Sequence, residues 1–319
     1  MNIIAGNRKV AIIGAGFVGA SIAYALTLRN IARDIVLIDI DEQKAYGEAL
    51  DIQHGIPYMG KSVVRAGDYS DCQYCDLIVI TAGRGRRPGE TRLQLMQDNS
   101  RIMRNVVDNI QKYYTGSVIL VVSNPADILT YLCEKWMGLE NGRVFGTGCS
   151  LDSSRLIRCV ADYIKLSTEV IKGTVVGEHG DSQIPIWSRL AIAGVPMDEY
   201  CDNVGLEWGK AQKDDIAARV KTMGGEIIAS KGRTHYGIAT CVGSLADAVL
   251  NQRVTIASVS STLQGEYGVC DVALSVPSII GVNGVEHRLE ENWMPEELGA
   301  FRQSAITLRN KMDELGDII

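Results

Sequence analysis

The chain has 319 residues, enough to bury a large core and to form two domains. Its 46% hydrophobic and 22% charged residues are typical of a globular protein. The net charge of -6 disfavours a nucleic-acid partner, and the chain has no apolar run of the ~18 residues that a membrane span needs. With no signal-peptide pattern at the N-terminus, we expect a cytoplasmic protein without membrane or nucleic-acid partners.

The first half of the chain alternates β-rich runs with helical patterns. Strands are predicted at residues 9–13, 35–39, 62–65, 77–81, 118–123 and 144–145, and helices near 18–30, 41–54, 92–112 and 126–137. This alternation predicts a parallel sheet with helices on both faces. Six strands are the number in a complete dinucleotide-binding fold, so we expect a Rossmann-type, doubly wound α/β domain over residues 1–148.

The pattern changes near residue 150. Helices are predicted at 151–165, at about 209–231, from residue 236 and at 295–315, together with a strand before His179 and a β-rich stretch at 253–282. These elements predict a second, α+β domain over residues 149–319. We expect the active site in the crevice between the two domains.

A glycine-rich turn follows the first predicted strand. Gly14, Gly16 and Gly19 form a GxGxxG motif that leads directly into a helical pattern. The first glycine permits the turn, the second lets the backbone approach a diphosphate, and the third lets helix and strand pack closely. Asp39 ends the next strand, where a carboxylate accepts the ribose hydroxyls and repels a 2′-phosphate. The motif predicts an NAD site.

His179 lies between two glycines and two carboxylates in the segment GEHGDS. A tight turn after a strand presents its side chains to a cleft rather than to a core. Histidine is the side chain whose ordinary pKa lies nearest neutrality. The segment therefore predicts a group that donates and accepts a proton during catalysis.

Several polar groups follow strands or open helices further along the chain. The segment RGRRPGETR, residues 84–92, comes after the fourth strand, at the sheet edge where ligands bind, and its glycines and proline predict a mobile loop. Asn124 ends the fifth strand, Asp152 and Arg155 lie one helical turn apart, and Thr234 follows a predicted helix. Taken singly, these residues also fit a solvated charge run, a turn, a helix ion pair or a surface threonine. No cluster of residues predicts a metal site.

Seven motifs in this order carry a resemblance that covers essentially the whole chain. They are GAGFVG, TAG, RRPGETR, VSNP, LDSSR, GEHGDS and KGRTHYG. The chain resembles the NAD-dependent lactate/malate dehydrogenase family. The segments around His54, LDSSR and KGRTHYG resemble the lactate-dehydrogenase-type branch.

The resemblance implies hydride transfer between a nicotinamide and a small 2-keto or 2-hydroxy acid. It makes His179 the proton donor, Asp152 the carboxylate that orients and stabilises its imidazolium, and Arg92 the loop residue that polarises the carbonyl. Arg155 would hold the substrate carboxylate through a bidentate fork. Asn124 would contact both substrate and cofactor.

The same resemblance implies a set of cofactor contacts at the sheet edge. The implied cofactor-binding residues are Gly14, Gly16, Phe17, Val18, Gly19, Asp39, Thr81, Ala82, Gly83 and Asn124.

The choice of acid depends on the side chains that would face the substrate. Arg86 occupies a loop position where malate enzymes of this family have arginine and lactate enzymes usually have glutamine. An arginine in a closed pocket pairs with the second carboxylate of oxaloacetate and is left unpaired beside the methyl of pyruvate. Thr234 and Glu90 match lactate enzymes instead. We expect oxaloacetate and (S)-malate as substrates, with pyruvate and L-lactate as the alternative.

The resemblance also implies a homotetramer or a dimer. Some bacterial members are activated by a sugar bisphosphate that an arginine and a histidine hold at a subunit interface. Ile157 and Lys172 occupy those positions here, so we expect no strong activation of this kind.

Overall fold

A computed structural model describes residues 8–85 and 89–316. Strands β1 to β6 lie at Lys9–Ile13, Asp34–Ile38, Val63–Ala66, Leu77–Ile80, Val118–Val121 and Val144–Gly146. Helices α1 to α4 lie at Phe17–Leu28, Glu42–Met59, Arg92–Gln111 and Ala126–Met137.

These six strands form a parallel sheet in the order β3-β2-β1-β4-β5-β6. The central strands β4 and β5 have the sequences LIVI and VILV, and all of their residues are buried. Such continuous β-branched runs favour strands that are covered on both faces. The prediction of a Rossmann-type α/β fold is confirmed.

The second half of the chain begins with a helix and several short strands. Helices α5 to α9 lie at Ser150–Ile164, Met197–Val204, Lys210–Lys231, Tyr236–Asn251 and Pro295–Asp313. Strands β7 to β14 lie at Ile171–Lys172, Val175–Val176, Ile184–Pro185, Ala191–Ile192, Val195–Pro196, Thr255–Gln264, Cys270–Gly281 and Gly284–Arg288.

The predicted β-rich stretch forms the long hairpin β12–β13, which extends the parallel sheet. Strand β12 pairs antiparallel with β6, with Ser260 opposite Gly146, and β13 and β14 continue to the edge of a nine-stranded sheet. The pattern of the sequence did not predict this pairing, because a strand does not show in its own residues which edge it joins. The sheet therefore runs past residue 148 into the second half of the chain.

Two contacts attach the second half of the chain to the large sheet and to helix α1. An isolated bridge joins Gly177 to Ser275 of β13, so the segment before His179 is attached to the large sheet. Helix α8 packs along α1, and Ala239 and Val242 share a buried cluster with Ile22 and Leu26. Among the described residues, no helix has both the length and the apolar character that crossing a membrane requires.

Candidate active site

His179 and Asp152 meet where β8 and α5 come together. His179 Nδ1 lies 2.5 Å from Asp152 Oδ2. The Asp152 side chain is only 2% exposed, whereas that of His179 is 27% exposed. With Nδ1 held by the carboxylate, Nε2 is the ring nitrogen left to face a ligand. The structure thus places the predicted proton donor and its predicted partner in direct contact.

The contact changes the proton affinity of both groups. Burial alone would lower the pKa of His179, but the charge and hydrogen bond of Asp152 outweigh it, and the pKa is raised above 6.5. Burial alone would raise the pKa of Asp152, but the nearby His179 and Arg155 lower it below 3.8. Each group therefore stabilises the charged form of the other.

Arg155 completes this group from the same helix. Its Nη1 donates to Asp152 Oδ1 at 2.9 Å, and its side chain is 16% exposed. Helix α7 passes close by at Gly224, where an added Cβ would lie 3.4 Å from Arg155 Nη2. The lack of a side chain at Gly224 leaves room beside the guanidinium. Arg155 keeps N–H groups that Asp152 does not use, and these suit a bidentate carboxylate.

Asp127, in the first turn of α4, is a site residue that the sequence did not single out. Its Oδ2 accepts a hydrogen bond from the backbone N–H of His179 at 2.7 Å. Asp127 is 2% exposed, and burial raises its pKa to about 6. The only available signal was its place after Ser123-Asn124-Pro125 at the carboxyl edge of the sheet. Its contact, 52 residues along the chain, could not be read from that place.

A second group that sequence reasoning missed ties the histidine turn to α9. Glu178 Oε1 accepts from Lys311 Nζ at 2.5 Å, and Glu178 Oε2 accepts from Ser182 Oγ at 2.5 Å. The hydroxyl of Ser304, in α9, accepts a hydrogen bond from the backbone N–H of Glu178 at 3.1 Å. These bonds hold the residue before His179 from two sides, so the C-terminal helix helps to position the turn.

Arg92 stands at the start of α3, after the arginine-rich loop. It forms an ion pair with Asp181, two residues after His179, and both side chains are largely exposed. Thr91 caps the helix, since its hydroxyl accepts from Gln94 N at 3.1 Å. Arg92 therefore lies close to the turn that carries His179, where it is paired with Asp181 at the exposed edge of that turn.

Arg84, in the described part of the arginine-rich loop, is paired with two carboxylates. Arg84 pairs with Glu90, with Nη1 2.8 Å from Oε2, and with Asp98, with Nη2 2.5 Å from Oδ2. Glu90 thus offsets positive charge within the loop. Arg86, the predicted selector of the substrate, lies outside the described residues.

The glycine-rich turn has the shape that a dinucleotide requires. Gly14 has a φ of +103°, and an added Cβ would lie 2.7 Å from Thr81 Oγ1. A Cβ on Gly19 would lie 1.9 Å from Gly14 O, so α1 approaches the turn too closely for any side chain there. Helix α1 begins after Gly16 with no acidic residue in its first turn. Its free N–H groups therefore remain available to an anion.

Asp39 lies beside this turn, just beyond β2. Its Oδ2 accepts from Ala15 N at 2.6 Å, and its Oδ1 accepts from Asp41 N at 3.0 Å. These bonds hold the carboxylate at the opening of the turn. The arrangement of Gly14, Gly19 and Asp39 fits an NAD molecule, with the diphosphate at α1 and the ribose at Asp39.

The ends of β4 and β5 converge on the same edge. Thr81 Oγ1 donates to Gly14 O at 2.8 Å, and Ser123 Oγ donates to Ala82 O at 2.6 Å. Asn99 Nδ2 donates to Asn124 O at 2.7 Å. The predicted cofactor residues Thr81, Ala82 and Gly83 therefore lie between the glycine-rich turn and Asn124.

The turn between α7 and α8 lies against the start of α1. Thr234 is half-buried in this turn. The guanidinium of Arg233 lies over the ring of Phe17, 3.8 Å from its centroid, and His235 Nδ1 lies 3.0 Å from Ser21 Oγ. The turn thus packs on the first residues of α1.

Comparison with known proteins adds independent information on this arrangement. The family model described as lactate/malate dehydrogenase, NAD binding domain, matches residues 8–146. The family model described as lactate/malate dehydrogenase, alpha/beta C-terminal domain, matches residues 149–318. The chain belongs to the lactate/malate dehydrogenase family. The predicted family and the predicted NAD cofactor are confirmed.

Individual members of the lactate/malate dehydrogenase family resemble the chain over its whole length. An L-lactate dehydrogenase of a Thermoanaerobacter species is 44% identical over 97% of this chain and 99% of its own. One from Acetivibrio thermocellus is 40% identical over 95% of each chain. A solved lactate dehydrogenase from a Medee basin deep-sea metagenome library has a TM-score of 0.93 at 36% identity, covering 97% of this chain and 99% of its own. The lactate-dehydrogenase-type branch is thereby confirmed.

These relatives overturn the prediction of a malate dehydrogenase. The proteins that match the chain at 40% to 44% identity are named L-lactate dehydrogenase, and the solved structures agree with them. The prediction was wrong because it gave the charge of Arg86 more weight than Thr234 and Glu90, which match lactate enzymes. Glu90, which it gave less weight, offsets the charge of Arg84 in the same loop.

Proposed function

We propose that the protein is an L-lactate dehydrogenase that interconverts pyruvate and L-lactate with NADH and NAD. The contact of His179, Asp152 and Arg155 carries this proposal, because it places a proton donor, its carboxylate partner and a carboxylate-binding guanidinium side by side. The names of the full-length relatives support pyruvate as the acid.

The residues divide the chemistry between binding and proton transfer. Arg155 binds the pyruvate carboxylate through the N–H groups that Asp152 leaves free, and Thr234 lines the space for the methyl group. When bound at the start of α1, the nicotinamide cofactor would supply the hydride that C2 of the keto acid receives. His179 donates its Nε2 proton to the carbonyl oxygen, so the product is the 2-hydroxy acid. Asp152 stabilises the imidazolium before this transfer.

Arg92 places positive charge beside the carbonyl oxygen, which becomes negative as C2 receives the hydride. In the described conformation it is paired with Asp181, so substrate binding exchanges this partner for the developing alkoxide. Both side chains are exposed, and an exposed ion pair contributes only roughly 0–1 kcal/mol. Loss of the ion pair with Asp181 therefore adds little to the activation barrier.

The cofactor contacts follow from the turn between β1 and α1. The free N–H groups of Phe17 and Val18, which directly follow Gly16 at the start of α1, bind the diphosphate. Asp39 binds the adenosine ribose. Gly83 and Asn124 lie on the nicotinamide side of the edge. Repulsion between Asp39 and a 2′-phosphate favours NAD over NADP.

Comparison of two keto acids tests the substrate. We expect kcat/KM with NADH to be about 100-fold higher for pyruvate than for oxaloacetate, because a pocket built for a methyl group leaves a second carboxylate without a partner. Initial rates of NADH oxidation measure both values. Equal values, or a preference for oxaloacetate, would contradict the proposal.

Sugar bisphosphate should not activate the enzyme. Ile157 is partly buried, packs against the core of the second half and offers no hydrogen-bond donor, while Lys172 is a single exposed cation. We expect fructose bisphosphate at low micromolar concentration to change neither the initial rate nor the sedimentation coefficient. An increase in either quantity would show that other residues bind it.

We infer the assembly and the cytoplasmic location from the family and from the surface. Tyr24 and Leu28 on α1 and Tyr46 on α2 are each about half exposed. Apolar side chains on neighbouring helices suit a subunit interface, and the protein is a homotetramer or a dimer. All eight cysteines are free, as expected for a cytoplasmic protein.

A further inference from the structure

The guanidinium of Arg233 lies against an aromatic ring at the start of α1 and, among the described residues, has no carboxylate partner. The guanidinium covers the ring of Phe17, the first residue of α1, at 3.8 Å from the centroid. The hydrogen bond between His235 and Ser21 fixes the same turn one helical turn further along α1. Arg233 is therefore held against the start of the helix that follows the glycine-rich turn.

The two charges that act on His235 in this turn are both positive. Within the described residues, no carboxylate lies within ion-pair distance of Arg233 or Lys231. Burial and the charges of Lys231 and Arg233 lower the pKa of His235. The start of α1 adds the positive end of a helix dipole and has no acidic residue in its first turn.

The dipole of α7 explains the position of Lys231 but not that of Arg233. Lys231 lies in the last turn of α7, where a cation is stabilised by the helix dipole, and its ammonium lies over the Tyr236 ring at 4.1 Å. Arg233 follows Gly232, which ends α7, and points its charge at the positive end of another helix. An anion bound between the guanidinium and the start of α1 would stabilise both positive charges.

We propose that Arg233 binds the diphosphate of NADH from the second half of the chain. This inference rests on the proposed function, which places the diphosphate at the start of α1. The ring of Phe17 supports one face of the planar guanidinium and leaves its edge N–H groups to donate to phosphate oxygens. Arg233 is then a binding residue that connects the cofactor to the turn carrying Thr234.

Substitution of Arg233 by methionine tests this contact. Methionine keeps an apolar contact with Phe17 but removes the charge and the donors. We expect the Kd values for NADH and for ADP-ribose, which has the diphosphate but no nicotinamide, to rise about tenfold, equivalent to about 1.4 kcal/mol. The Kd for adenosine, which has no phosphate, should stay the same. Isothermal titration calorimetry measures all three.

Two further variants make the test specific. Arg104→Met serves as the matched control, because Arg104 also lies over an aromatic ring, 5.2 Å from the centroid of Trp136, on the distant pair α3 and α4. It should bind NADH like the unmodified protein. Arg233→Lys keeps the charge without the fork and should recover about a third of the lost affinity on a logarithmic scale.

The outcomes separate the inference from the proposed function. If the unmodified protein binds NADH and Arg233→Met binds it equally well, Arg233 does not contact the diphosphate and the proposed function stands. If only the KM for pyruvate rises, Arg233 faces the keto acid and the inference is wrong. Equal weakening of adenosine would indicate a general disturbance and also overturn it. Failure of the unmodified protein to bind NADH would instead remove the proposed function.

Discussion

Replacement of His179 by asparagine should lower kcat for pyruvate reduction by on the order of 10³ or more and leave NADH binding close to normal. The asparagine amide still donates a hydrogen bond toward Asp152, so the buried carboxylate keeps a partner. It has no proton to give at neutral pH. The loss therefore falls on proton transfer rather than on the fold.

Steady-state kinetics and the fluorescence of bound NADH measure the two quantities separately. His287→Asn, in the exposed strand β14, removes a histidine elsewhere and should leave both unchanged. A His179→Asn protein that no longer binds NADH would contradict the assigned role. A His179→Asn protein that retains a tenth of the kcat would contradict it as well.

Replacement of Asp152 by asparagine should lower kcat by on the order of 10² to 10³ and displace the pH profile. The carboxylate raises the pKa of His179 against the effect of burial. Without it, burial dominates, so the imidazolium loses its proton at lower pH. Because reduction of pyruvate uses the protonated form, the falling limb of the kcat profile should move to lower pH.

Rates between pH 5 and 9, at saturating pyruvate and NADH, measure this displacement. The control is Asp162→Asn, which removes a carboxylate from α5 that pairs only with Arg158 at the surface. It should keep both the rate and the profile. A lower rate with an unchanged profile in Asp152→Asn would mean that Asp152 orients the ring without stabilising its charge.

The sequence predicted the features that local chemistry determines. Gly14 and Gly19 have to be glycines because Thr81 and the backbone of the turn leave no space for a Cβ at either position. The apolar runs of β4 and β5 predict covered strands for an equally local reason. The family motifs then placed His179, Asp152 and Arg155 in one site, and the structure brings these three together.

Features that depend on distant pairs could not be predicted in this way. Lys311 contacts Glu178 across 133 residues, and neither residue type indicates the other. The substrate prediction failed for a related reason. It gave the charge of Arg86 more weight than Thr234 and Glu90. It could not include the pairing of Arg84 with Glu90 and Asp98 in and beside the same loop, because only folding determines those contacts.

The continuous sheet has a consequence for how the enzyme encloses its ligands. The strands that carry the cofactor turn and the strand bridged to Gly177 belong to one hydrogen-bonded body. Closing a cleft by rotating one half against the other would break the pairing of β6 with β12. The position of His179 relative to the glycine-rich turn is therefore fixed by the hydrogen bonds of the sheet itself.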